Sequence, residues 1–243
     1  LESIFERDAS VTGFFLKDGY KSREKPDYFI DETGSIDWQP RVYTLAGYLG
    51  ERCDCSYIID IGCGRARKLI NMYPDYQVVG IDFGENIRYC EESYPHGSWI
   101  EFDFEQPQLL EVADDIVKNA IIVCADVVEH LVNPSHLFCN LRKMMDLAPV
   151  CLLSTPERDL VRGPGNLGPP GNTSHVREWN IEEFTKLLRF YDFNLGYIGL
   201  TASNNQGWQM ETILAVIGSN KNDNMNSCRC DLDELKPEIL KRI

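Results

Sequence analysis

Four aspartates recur where apolar runs give out: Asp60 in IIDIGCG, Asp82 in VVGIDFG, Asp103 in IEFDFEQ and Asp126 in CADVVEH. The first leads into Gly62-Cys63-Gly64, where bare backbone permits a tight turn and lets a ligand lie against the chain. Asp82 follows Gly64 by 18 residues. At about that spacing, a carboxylate at a strand end accepts hydrogen bonds from both hydroxyls of a ribose. A helix cap is the other use of Asp82, and a plain turn residue the other use of Asp103. A nicotinamide fingerprint would place a third glycine at position 67, which is Arg67. That weighs against pyrophosphate binding and hydride transfer.

The second source of chemistry is histidine, of which there are four. His130 follows the fourth apolar run, and His175 closes a Gly/Pro-rich stretch. An imidazole with an unperturbed pKa near ~6.5 is suited to taking a proton from a hydroxyl. His175 is the expected base and His130 its partner, with a structural hydrogen bond as the alternative for each. His96 lies in a YPHGS turn and His136 in the first turn of a helix, so neither is expected to act. Glu129, Arg158, Arg177 and Glu178 are candidate anchors for a polar acceptor, although Arg177 and Glu178 could pair with each other. Trp208 is a candidate wall of the acceptor pocket. No compact carboxylate cluster is evident beside His175, so no metal is expected. The C-x-C pairs Cys53/Cys55 and Cys228/Cys230 have a shorter spacing than zinc sites use, and free thiols are expected.

The elements that must hold these residues follow a regular rhythm. Strands are predicted at Tyr57–Ile61, Gln77–Ile81, Ser98–Phe102, Ala120–Cys124 and Val150–Ser154. Helices are predicted over about 65–72, 85–93 and 134–147. Such alternation implies a parallel, doubly wound α/β sheet, and ligands then bind outside the carboxyl ends of the strands, where the four aspartates fall. Residues 1–50 form a cap segment, aromatic-rich, with a helix over 41–49. The stretch 156–174 holds four Gly and four Pro; so long a loop in a compact domain is usually functional. The cap and this loop are expected to close over the site and exclude water. Asn180 with Glu183 predicts a capped helix to about 191. Two strands follow near 194–200 and 211–217. The domain is set at 51–218, and 219–243 is a polar tail or linker.

Composition limits the function classes. The chain has 243 residues, 43% hydrophobic and 26% charged, with a net charge of −14, ordinary for a globular domain. A field of that sign disfavours a nucleic-acid partner, and the basic residues are scattered rather than patched. No apolar run approaches the ~20 residues of a membrane span. The nine cysteines are odd in number and mostly lie in apolar runs, so a reducing, cytoplasmic setting is expected. The chain begins at Leu1, and flanking domains in a longer polypeptide are an expectation.

The stretch from about 57 to 156 resembles the class I S-adenosylmethionine-dependent methyltransferases, in the subgroup with a D-x-G-C-G loop and D-x-x-E-H after strand four. The resemblance implies a Rossmann-like sheet of seven strands in order 3-2-1-4-5-7-6, the last strand antiparallel, here with an N-terminal helical cap. It implies S-adenosylmethionine as cofactor, held by Asp60, Gly62, Cys63, Gly64, Asp82, Phe83, Asp103, Phe104, Asp126 and Val127. In that family the acid at Asp103 takes the adenine amino group, flanked by Phe104 or Phe83, and Asp126 lies beside the methionyl part. The motifs DWQPRVY and STPERD…GPPGN…HVREW resemble a branch of polysaccharide and natural-product tailoring enzymes, which implies O-methylation of a sugar or glycan. N- or C-methylation of a small metabolite, and a non-catalytic nucleoside-binding module, stay open. Arg65 departs from the small residue usual after the second glycine, which bears on the loop's fine shape.

Overall fold

A computed structural model of the chain describes residues 7–32, 37–204 and 209–220. Seven strands form one sheet: β1 (Tyr57–Ile61), β2 (Gln77–Asp82), β3 (Ser98–Glu101), β4 (Ala120–Ala125), β5 (Val150–Pro156), β6 (Asn194–Thr201) and β7 (Thr212–Gly218). Their order is β3-β2-β1-β4-β5-β7-β6. The first five are parallel, and β7 inserts antiparallel between β5 and β6. This is the expected topology.

Successive side chains on a strand point to opposite faces, and both faces here are covered. Ile59 and Ile61 of β1, Ile122 and Cys124 of β4, and Cys151 and Leu153 of β5 enter one core. Ile58 of β1, Ile121 and Val123 of β4, and Val150 and Leu152 of β5 enter the other. The first core is closed by α5 (Ser135–Met144) and α7 (Ile181–Phe190), the second by α1 (Pro40–Arg52) and α3 (Gly84–Ser93). Burial on both faces explains why the strands read as continuous apolar runs.

Local chemistry sets the helix starts. Pro40 occupies the first turn of α1, where its missing N–H costs nothing. Asn180 accepts from Glu183 N at 2.9 Å while Glu183 Oε2 accepts from Asn180 N at 3.2 Å, the anticipated capping box of α7. α2 spans only Arg67–Ile70, because Ala66 before it is left-handed with φ 52°. Two short helices, α4 (Asp114–Lys118) and α6 (Arg158–Arg162), add to those expected. α6 lies inside the Gly/Pro-rich stretch, capped by Glu157 accepting from Leu160 N at 2.8 Å.

The cap is helical at its two ends, with 3-10 turns over Ala9–Phe15 and then α1. Between them, residues 16–32 form a strap across the carboxyl edge of the sheet. It bonds to the Gly/Pro-rich loop and its continuation: Lys21 N donates to Leu167 O, Arg23 N to Val176 O and Asp27 N to Thr173 O, at 2.8, 2.8 and 3.1 Å.

Candidate active site

Strap, loop and strand ends enclose a cavity of about 1040 Å³, large enough for a nucleoside cofactor together with an acceptor. The glycine loop after β1 forms one wall. Gly62 and Gly64 have φ of +69° and +55°, and a Cβ on Gly62 would lie 2.4 Å from Val127 Cγ2. Glycine is therefore required there by conformation and by space. Cys63 lines the same wall, its thiol 2.9 Å from where a Cβ on Gly80 would sit.

Asp82 stands at the end of β2 beside this loop. Its Oδ2 accepts from Gly64 N and its Oδ1 from Phe83 N, both at 2.8 Å. Burial pushes its pKa up to about 6 against the pull of those two bonds, and the nearby Asp31 carboxylate adds to the rise. Phe83 is 38% exposed. Tyr28 of the strap donates to Phe83 O at 2.6 Å and meets its ring edge-on at 4.9 Å. Phe104, with Phe102, also lines the cavity.

Asp60 lies behind the loop rather than on the cavity wall. Tyr43 donates to its Oδ2 at 2.7 Å, and burial pushes its pKa up to about 7. Asp103, expected at the adenine, does not line the cavity; its carboxylate accepts from Glu105 N at 2.9 Å and Gln106 Nε2 at 3.2 Å within its own turn.

The far wall grows from the end of β4. Asp126 is left-handed at φ 56°, which turns its carboxylate toward Gln39 Nε2 at 2.7 Å and Ser154 Oγ at 3.2 Å. A 3-10 turn over Val128–His130 then brings Glu129 and His130 to the same wall. Glu129 is fully buried. Thr155 donates to its Oε2 at 2.9 Å, while its Oε1 has no hydrogen-bond partner among the described residues. Burial, and then the Asp126 charge, push its pKa well above the usual carboxylate range.

His130 Nδ1 is 3.1 Å from Ser174 O, and burial pushes its pKa down to about 3, leaving it neutral. His175 Nδ1 is 2.8 Å from Glu178 Oε1, and Arg162 Nε donates to the same carboxylate's Oε2 at 2.7 Å. The two imidazole centroids are 4.7 Å apart. Contrary to expectation, a carboxylate does accompany His175: ligand atoms of Glu129, His130 and His175 all lie within 4.8 Å of one another.

Two expected acceptor anchors are structural instead. Arg158 is wholly buried and forks onto Glu183, at 2.6 Å from Nη1 and 3.0 Å from Nη2. Arg177 donates to Leu131 O at 3.0 Å and Val132 O at 2.9 Å, with its guanidinium 4.1 Å above Phe14. Neither lines the cavity. Glu178 does, paired with His175 and Arg162 rather than with Arg177. Trp208 and Cys228/Cys230 lie outside the described residues. Sequence reasoning missed Asp31, Gln39, Tyr43 and Lys68, all of which line the cavity.

No protein-family model matches the chain, and no curated protein does. Solved structures do. An S-adenosylmethionine-dependent methyltransferase from Clostridium acetobutylicum is similar over 78% of this chain and 94% of its own, at 12% identity and TM-score 0.56. The methyltransferase domain of bacterial CtHen1-C covers 74% and 97%, at 17% and 0.53. Magnesium protoporphyrin IX methyltransferase from Synechocystis, with bound SAH, covers 75% and 83%, at 17% and 0.52. At such identities the likeness establishes the fold, which is that of class I S-adenosylmethionine-dependent methyltransferases. No helix among the described residues is long and apolar enough to cross a membrane.

Proposed function

We propose that the chain is an S-adenosylmethionine-dependent methyltransferase that O-methylates a hydroxyl of a sugar or glycan. One observation carries this reading. A carboxylate suited to a ribose, beside a bare glycine loop, and a pair of imidazoles face a single cavity. The donor set fits the cofactor: Asp82 offers acceptor oxygens, and Gly62 and Gly64 bring bare backbone to the cavity wall. Phe83 and Phe104 supply apolar faces for a base.

S-adenosylmethionine supplies an electrophilic methyl on a sulfonium, whose C–S bond breaks as the C–O bond forms. The acceptor oxygen must give up its proton, and on this reading His175 takes it. Because Glu178 accepts from Nδ1–H, the Nε2 lone pair is the one left for the proton. His130, held by Ser174 O, orients the same hydroxyl. The strap and the Gly/Pro-rich loop, bonded to each other, exclude water. Around the acceptor half, Asn172, Glu178, Ser203 and Thr212 present hydrogen-bonding groups, and the half-exposed rings of Phe29 and Trp38 offer faces for a sugar ring. Together with the net charge of −14, this favours a neutral polyol over a nucleic acid.

The test is a turnover screen with S-adenosylmethionine against nucleotide sugars and glycans, read by mass spectrometry as a gain of about 14 mass units per transfer. Gain on amines or carbon acids alone, unaffected by His175→Ala, would point to N- or C-methylation. Tight cofactor binding with no turnover on any class would point to a nucleoside-binding module.

A further inference from the structure

We infer that Glu129, His130 and His175 form a binding site for one divalent transition-metal ion, open on its cavity side to the acceptor hydroxyl. Three independent features meet there. The ligand atoms lie within 4.8 Å of one another. Zinc-type ligands sit at about 2.0–2.2 Å from their ion, so each atom has roughly an ångström or less to travel. Both imidazoles are fixed by their Nδ1 atoms, on Ser174 O at 3.1 Å and Glu178 Oε1 at 2.8 Å. A metal-binding histidine is usually held this way, its second nitrogen donating to a carbonyl or carboxylate so that the first keeps its lone pair. Finally, Glu129 is fully buried and lines the cavity, yet its Oε1 has no partner among the described residues. A buried carboxylate oxygen without a donor is costly unless a cation or a proton meets it.

The donor set selects the ion. Two imidazoles and one carboxylate suit zinc, manganese, iron or cobalt better than magnesium or calcium, which prefer all-oxygen shells. Three protein ligands and one open position are the arrangement of a catalytic rather than a structural site. Asp126 and Glu178 add negative charge around it; Arg162 answers Glu178, and Lys68 lies toward Asp126. The inference deepens the reading of the preceding subsection and rests on it. It keeps the histidine pair and changes the proton's route. With the ion in place, the His175 Nε2 lone pair belongs to the metal. The acceptor hydroxyl would bind at the open position and its acidity would rise; its proton would pass to solvent on binding, before the strap and loop exclude water, leaving an alkoxide to form the C–O bond as the C–S bond breaks.

A proton on Glu129 is the rival answer to its burial, and direct binding separates the two. Chelator-treated protein is titrated with Zn²⁺ or Mn²⁺ alone in a calorimeter, and bound metal is counted by elemental analysis. Co²⁺ then reports the ligand field in its visible spectrum. The expected result is one ion per chain, with affinity falling at least about tenfold in Glu129→Gln and in His175→Gln. Circular dichroism checks both variants for folding, so a misfolded one leaves the other to decide. No binding to the wild-type chain, or binding undiminished in the folded variants, overturns the site. Failure of the underlying reading looks different: S-adenosylmethionine then gives no heat and no methyl transfer, with or without metal. Methyl transfer at full rate by chelator-treated protein would overturn the ion alone.

Discussion

His175 Nδ1 lies 2.8 Å from Glu178 Oε1, and the other oxygen of that carboxylate is held by Arg162 Nε at 2.7 Å. Arg162 therefore fixes how any residue at 178 meets the imidazole. In Glu178→Gln the amide oxygen must face Arg162, which leaves the NH₂ facing Nδ1. That forces the histidine proton onto Nε2 and removes the lone pair aimed at the cavity. The expected outcome is a fall in kcat of about 10²-fold or more, with cofactor affinity unchanged by calorimetry. An equal loss of cofactor affinity would mean that Glu178 supports the whole wall rather than the tautomer.

Asp82 predicts a pH dependence of opposite sign for binding and for stability. On the proposed reading Asp82 accepts from the ribose hydroxyls as a carboxylate, so cofactor affinity should weaken as pH falls through about 6. Asp82→Asn should lower affinity at pH 8 by about 1.5–3 kcal/mol, the worth of hydrogen bonds to a charged group, and flatten the profile. For the empty protein the sign reverses. The folded pKa lies above the ordinary 3.8, so the contribution to stability is full below 3.8 and is lost as pH rises through about 6. The Tm of Asp82→Asn relative to wild type should accordingly be higher at pH 8 than at pH 5. Calorimetry and thermal melts across that range check both arms.

Arg158 separates packing from catalysis. It is wholly buried on Glu183, and removing one partner strands the other charge in the interior. Arg158→Met should cost about 3–5 kcal/mol in denaturant unfolding, while the acceptor KM of the folded fraction stays within about twofold, as expected for a site away from the ligand. A rise in KM without loss of stability would return this residue to the acceptor site.

Arg158 and Arg177 also show where a linear reading stops. The sheet was legible because the central parallel strands β1, β2, β4 and β5 are apolar runs broken or closed by a polar or charged residue. The Asn180/Glu183 box was legible because both members lie within one turn. Arg158 and Arg177 looked like anchors because they flank a Gly/Pro-rich loop next to His175, and nothing local reveals a partner 25 residues on. Asp103 carried a readable sign: an Asx turn, with Pro107 close behind. Gln39 and Tyr43 precede the glycine loop by about a helix, and only the packing of α1 on the sheet sets them against Asp126 and Asp60. Glu129 was visible as an anchor. Its approach to His175 depends on the chain after β5 returning to the turn after β4, where Val176 N donates to Glu129 O at 2.7 Å.

The strap supplies the last prediction. Tyr28 donates to Phe83 O at 2.6 Å, and Asp31 Oδ2 accepts from Arg65 N at 3.1 Å, so the strap is pinned across the β1 and β2 ends of the cavity. A nucleoside seated between Asp82 and Phe83 would lie beneath it and could leave only after these bonds open. Tyr28→Phe removes one of them while keeping the ring contact with Phe83. A partly exposed hydrogen bond is worth about 0.5–1.5 kcal/mol, so cofactor dissociation should quicken by roughly two- to tenfold, with association changed less. Stopped-flow displacement of S-adenosylhomocysteine measures both rates. An unchanged dissociation rate would mean that the ligand leaves by another opening, and the strap would then be a wall rather than a gate.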